Sequence, residues 1–178
     1  MCFDPETFTH ADELPPEPGW SPLPVPREFG EGRSFVSGDP AGDGLRIRYF
    51  SCPDTGVLHA KLWVGPHAEG PPGHAHGGSL AAVLDESMGF CAWANGYPVV
   101  AATISTSFRK SLPMRCIAHV EARVYQVRER KVFTTARIYD PATNGDYAEG
   151  EGLFIVQPLE RFGPGFDPLR GAATATGN

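Results

Sequence analysis

The residues best placed to do chemistry are His76, Gly77, Gly78 and Asp85, all within GHAHGGSLAAVLDESMG at 73–89. Leu80, Leu84, Met88 and Cys91 recur at helical spacing, and Asn95-Gly96 supplies a stop, so a helix opens at the two glycines and carries Asp85 about two turns in. First-turn amides have no intrahelical acceptor and sit at the positive end of the helix dipole, so those of Gly77 and Gly78 can polarise a carbonyl oxygen. Glycine lets that oxygen come close to the backbone. Asp85 shares its face with Gly78, Ala81, Ala82, Gly89 and Ala92, small residues that admit a neighbouring backbone or a second subunit. A carboxylate on such a face is partly buried, and burial is costly for a charge with no task. Acyl hydrolysis needs a carboxylate to attack the carbonyl or to deprotonate water, and a donor for the oxygen that turns negative.

The positioning elements follow from the surrounding pattern. Seven prolines, from Pro15 to Pro40, break residues 1–42 into an extended arm. Alternating apolar and polar residues at 45–50 and 57–64 form two strands joined by a turn at Pro53, Asp54 and Gly56. After Pro98 the segments 99–108, 116–127, 132–140 and 147–156 read as strands, the last three an antiparallel meander. Residues 161–178 are a flexible tail rich in Gly, Pro, Ala and Thr. Two strands, one helix and four strands, with no crossover helices, define an α+β domain over 43–160. One helix cannot cover both faces and the edges of six strands, so at least a dimer is expected.

Composition sets the bounds. The chain has 178 residues, 41% of them hydrophobic, enough for one core, and its formal charge of -6 argues against a nucleic-acid partner. Cys2, Cys52, Cys91 and Cys116 are scattered with no C-x-x-C pair, which fits reduced thiols in a cytoplasmic protein. No basic, apolar leader and no bilayer-length apolar run is present, so membrane insertion is not expected.

The H-G-G followed by an acid nine residues after the histidine, within L-D-E-S-M-G, together with A-T-I-S-T-S-F-R-K-S and G-L-F-I-V, resembles hotdog-fold acyl-CoA thioesterases of the phenylacetate-pathway type and their mammalian relatives. The resemblance covers roughly 45–156. It implies a long central helix wrapped by a curved antiparallel sheet of five to six strands, in a homodimer or dimer of dimers with sites shared between two subunits. The implied activity is acyl-CoA hydrolysis without a metal or cofactor, coenzyme A entering only as part of the substrate. It assigns the nucleophile or general base to Asp85, the thioester-polarising amide to Gly77 and the motif histidine to His76. Where many relatives hold a water with Ser or Thr this chain has Ala101; Thr103, two residues on and hence on the same strand face, is the candidate substitute. With Gly78, the basic residues Arg109, Lys110, Arg128, Arg130 and Lys131 fall where relatives meet coenzyme A.

Plainer roles compete at each position. A lone helical acid is usually a solvated or paired side chain, and the motif is what favours catalysis at Asp85. Glu86 turns about 100° away and is assigned a structural or interfacial role. His76 either caps the helix or assists the site. His67, His74 and His76 lack metal-ligand spacing. Two rival functions remain: a hotdog enoyl-CoA hydratase or dehydratase, and a non-catalytic acyl-CoA-binding protein.

Overall fold

The computed structural model describes residues 8–29 and 32–162. The described residues form nine strands, six of them where period-two patterning indicates and three short ones in the arm: β1 (Ser21–Pro22), β2 (Glu28–Phe29), β3 (Gly32–Arg33), β4 (Leu45–Cys52), β5 (Val57–Val64), β6 (Val99–Phe108), β7 (Ile117–Arg128), β8 (Lys131–Tyr139) and β9 (Asp146–Val156). Seven of them form one antiparallel sheet in the order β1-β4-β5-β7-β8-β9-β6, and β2 pairs with β3. The helix α1 (Gly77–Ala94) crosses one face and ends at Asn95, whose Nδ2 donates to Cys91 O at 2.8 Å and to Gly56 O at 2.9 Å, tying the helix end to the β4–β5 turn. No helix among the described residues is long and apolar enough to cross a membrane.

Burial explains why the helix lies where it does. Leu80, Val83, Leu84, Met88 and Cys91 face Leu62 of β5, Val120 of β7, Ile138 of β8 and Ala148 of β9 in one apolar cluster. Gly150 on β9 lets α1 approach closely, because a Cβ there would meet Leu84 Cβ and Met88 Cε at 3.4 Å.

Three expectations are corrected. The sheet has seven strands rather than five to six because the arm contributes β1, and the arm is more than extended chain. Leu23 N donates to Tyr49 O at 3.0 Å, and Arg48 Nη1 donates to the carbonyls of Asp12 and Leu14. Buried Arg46 donates to Phe8 O at 2.9 Å and stacks its guanidinium 4.3 Å from the Trp63 ring centre. These contacts close the outer face of β4 and β5, so Lys61 and Trp63 are buried although they point away from the helix. Cys52 and Cys91 carry free thiols, whereas Cys116 is disulfide-bonded, which departs from the expected set of reduced cysteines. Most of the C-terminal tail, 163–178, lies outside the described residues, as do 1–7 and 30–31 of the arm.

Leu84 is fully buried between α1 and the sheet. Leu84→Ala is expected to lower unfolding free energy by about 3 kcal/mol, read by urea denaturation. A loss below about 1 kcal/mol would mean that the helix is not seated as described.

Candidate active site

The start of α1 is built by His76. Its backbone is extended, its Nδ1 accepts from Gly78 N at 2.9 Å, and its carbonyl accepts from Ser79 N at 3.0 Å and Leu80 N at 3.3 Å. The imidazole therefore caps the helix. The Gly77 amide donates to nothing among the described residues, which leaves one first-turn N–H free for an external acceptor. Phe108 covers this glycine: a Cβ at Gly77 would stand 3.2 Å from the ring. A cleft of about 310 Å³ opens here, lined by Gly77, Phe108, Arg109 and Lys110. Arg109 is engaged by Glu149 at 2.7 Å, and Lys110 Nζ lies 5.9 Å from the Tyr147 ring centre.

Asp85 occupies a different cleft, about 360 Å³, walled by Gly89, Phe90, Trp93, Ala101 and Phe154. It is half-buried, makes no hydrogen bond or ion pair among the described residues, and burial raises its carboxyl pKa above the ordinary range. Glu86 contrasts with it. Ser34 Oγ donates to one Glu86 oxygen at 2.5 Å and Tyr49 OH to the other at 3.0 Å, while burial still pushes its pKa up. Glu86 thus ties the arm to the helix, and Asp85 is the acid left available.

Eight residues of helix separate Gly77 from Asp85, about 12 Å of rise, so one chain does not bring its two principal groups together. The basic residues are split likewise. Arg109 and Lys110 follow the Phe108 end of β6, whereas exposed Arg128, Arg130 and Lys131 form the β7–β8 hairpin near its Val99 end, with Arg130 Nη2 on Val156 O at 3.1 Å. Gly78 is exposed at the helix start beside the His76 ring.

The position of Thr103 differs from the expectation. Ala101 pairs with Phe154 but Thr103 pairs with Leu153, so the register slips at Ala102. Phe154 and Leu153 are consecutive and point to opposite faces, and so do Ala101 and Thr103. Thr103 is exposed on the outer face and does not line the Asp85 cleft. Past the slip, the helix-side hydroxyl on β6 is that of half-buried Thr106, opposite Gly150. Sequence reasoning missed it because plain alternation through β6 gives the wrong parity.

Comparison with known proteins adds the following. A sequence profile described as thioesterase superfamily matches residues 72–144. The chain is similar to acyl-coenzyme A thioesterase THEM4 of Xenopus laevis, 32% identical over 91 residues, covering 51% of this chain and 41% of the relative. It is also similar to acyl-coenzyme A thioesterase THEM5 of Homo sapiens, 28% identical over 145 residues, covering 81% of this chain and 59% of the relative. The chain therefore spans 41% to 59% of the length of these curated relatives. In fold it is similar to a Streptococcus mutans protein solved with acetyl CoA, at TM-score 0.59 and 16% identity, covering 72% of this chain and 95% of that one.

An unpaired acid whose pKa is raised in the fold binds its proton more tightly there than in the unfolded chain. It therefore lowers stability as pH rises from the ordinary carboxylate range through the raised value. Asp85→Asn is expected to raise the melting temperature near pH 7 and to change it little near pH 3, where both forms are neutral. A lower melting temperature for the variant near pH 7 would contradict the unpaired state of Asp85.

Proposed function

We propose that this chain, a hotdog-fold member of the thioesterase superfamily, hydrolyses acyl-CoA thioesters to the free acid and coenzyme A. Asp85 serves as base or nucleophile, and the Gly77 amide of a second copy polarises the thioester carbonyl. The observation that carries this reading is the half-buried Asp85 carboxylate, left without a partner in a cleft beside an open sheet edge. Such a group is destabilising unless it has a task.

The chemistry needs little else. In the general-base form, Asp85 takes a proton from water, the hydroxide adds to the carbonyl carbon, and the oxyanion is held by the Gly77 N–H. Collapse breaks the C–S bond, and the proton returns to the departing sulfur. In the nucleophilic form the Asp85 oxygen adds to the carbonyl carbon, the C–S bond breaks and the coenzyme A thiolate leaves. Water then hydrolyses the resulting anhydride, regenerating the Asp85 carboxylate, forming the free acid and supplying the proton that the sulfur takes up. Neither form calls on a metal or cofactor, and coenzyme A enters with the substrate.

A homodimer would join the two clefts. Of the sheet's edges, β1 has two residues and carries Pro22, while β6 offers ten residues with an open side. Antiparallel pairing of β6 with its copy would set the Val99 end of one chain beside the Phe108 end of the other. Asp85 would then approach the second copy's Gly77, and the Arg128, Arg130 and Lys131 hairpin would approach its Arg109 and Lys110, a basic rim suited to coenzyme A phosphates. A dimer of dimers can form on the remaining faces. The Streptococcus mutans neighbour, which carries acetyl CoA, and the THEM-type relatives support the substrate class. A cytoplasmic location is supported by the free thiols of Cys52 and Cys91 and opposed by the disulfide at Cys116.

The turn of Thr103 away from Ala101 favours a second reading, acyl-CoA binding without turnover. Thiol release over a panel of acyl-CoAs separates the two. Asp85→Asn is expected to lower kcat by about 10²- to 10⁴-fold. Gly77→Pro removes the amide hydrogen at a first helical position that proline suits, but it also sets a carbon 3.2 Å from the Phe108 ring. Gly77→Ala, which adds that carbon and keeps the N–H, is the control; a loss of about 10²- to 10³-fold beyond the control is expected. Full turnover in either variant refutes the assignment of that residue, and binding with no release by the native protein establishes the second reading.

A further inference from the structure

We propose a second ligand site, on the sheet face opposite α1, that takes a monocarboxylic acid with an apolar body. Here the arm crosses β5, β7 and β8 and leaves a cleft of about 600 Å³, within the range of small-molecule sites. Phe8, Leu14 and Ile117 form its apolar wall, and Lys61, His119 and Tyr139 form its polar end. Strand register sets these three side by side, Lys61 opposite His119 and His119 opposite Tyr139.

The polar end is built and incompletely satisfied. Lys61 and His119 are each only 7% exposed. Lys61 Nζ meets a single acid, Glu17 Oε1 at 2.5 Å, and has three N–H groups to place. His119 makes no hydrogen bond among the described residues, its Nε2 standing 3.9 Å from the same Glu17 oxygen. Burial first, and Lys61 second, hold the imidazole pKa down to about 4, so the ring is neutral and one nitrogen carries a hydrogen to donate. A salt bridge that fastened the arm accounts for Lys61 and Glu17, and packing against Trp20 and Tyr139, at 5.3 and 5.7 Å between ring centres, accounts for the place of the His119 ring, but neither gives its nitrogens a hydrogen-bond partner at the edge of the cleft.

The ligand class follows from what is missing. Spare donors on Lys61 and His119 call for an acceptor, and a carboxylate offers two oxygens to a buried ammonium already half-desolvated. Glu17 is half-exposed and can swing outward when a second carboxylate arrives. The other rim acid, Glu13, is turned to Thr9, whose N and Oγ1 donate to it at 2.8 and 3.1 Å. An alkyl or aryl body then covers Phe8, Leu14 and Ile117. The site does not depend on the proposed reaction, although the acids released by thioester hydrolysis belong to the class.

Trp20 provides the readout, since it lines the cleft and stacks on His59 with ring centres 4.3 Å apart. The full chain is titrated with sodium octanoate, octanol and octylamine, followed by calorimetry and by the tryptophan emission lost in Trp20→Phe. Octanoate is expected to bind once per chain, about tenfold or more tighter than octylamine. Lys61→Met should weaken octanoate by about tenfold or more, as should Ile117→Trp, which narrows the cleft without touching a charge, whereas Asp85→Asn should leave it within about twofold. Circular dichroism confirms that each variant is folded. The proposal is overturned if octanoate does not saturate, if neither folded Lys61→Met nor folded Ile117→Trp weakens it, or if Asp85→Asn abolishes it, which would move the binding to the α1 face.

Discussion

A straight helix cannot bend back on itself within eight residues, and that rigidity governs the rest of this structure. The free amide of Gly77 and the unpartnered carboxylate of Asp85 ride on the same rod, about 12 Å apart, and open into separate clefts. Any site that uses both has to draw one of them from another copy of the chain. The small residues on the Asp85 face and the open edge of β6 are consistent with that demand, and so is the distribution of basic residues at the two ends of β6.

Much of the central architecture was readable because periodicity and punctuation agree there. The helix runs Gly77–Ala94, as its apolar spacing, opening glycines and Asn95-Gly96 stop indicate, and β6 spans 99–108 as expected. The paired strands around the Pro53 to Gly56 turn and the final meander follow the same way. The arm was opaque for a physical reason. Its prolines hold its own strands to two residues each, but they do not prevent single apolar residues such as Phe8, Leu14 and Leu23 from docking on a sheet formed later in the chain. That docking gives no periodic signal.

The candidate site was legible in part. Asp85 and Gly77 stood out by type and spacing, whereas the fate of Glu86 depended on Ser34 and Tyr49, 52 and 37 residues away, which spacing along the helix cannot report. His76 presents one ring nitrogen to its own helix, a local geometry that its position before two glycines already suggested. The two carboxylates, adjacent in sequence and sharing a cleft, differ because one has hydroxyl donors on both oxygens and the other has none.

The slip at Ala102 divides β6 into two reading frames. Residues 99–101 and 103–108 each alternate faithfully, but odd-numbered positions before the slip share the helix-side face with even-numbered ones after it. A relative that lacked the extra residue could carry its hydroxyl on the same face at a different count along the strand. Gapless comparison would then pair side chains that point in opposite directions, and equivalence across such proteins has to be judged by facing rather than by number.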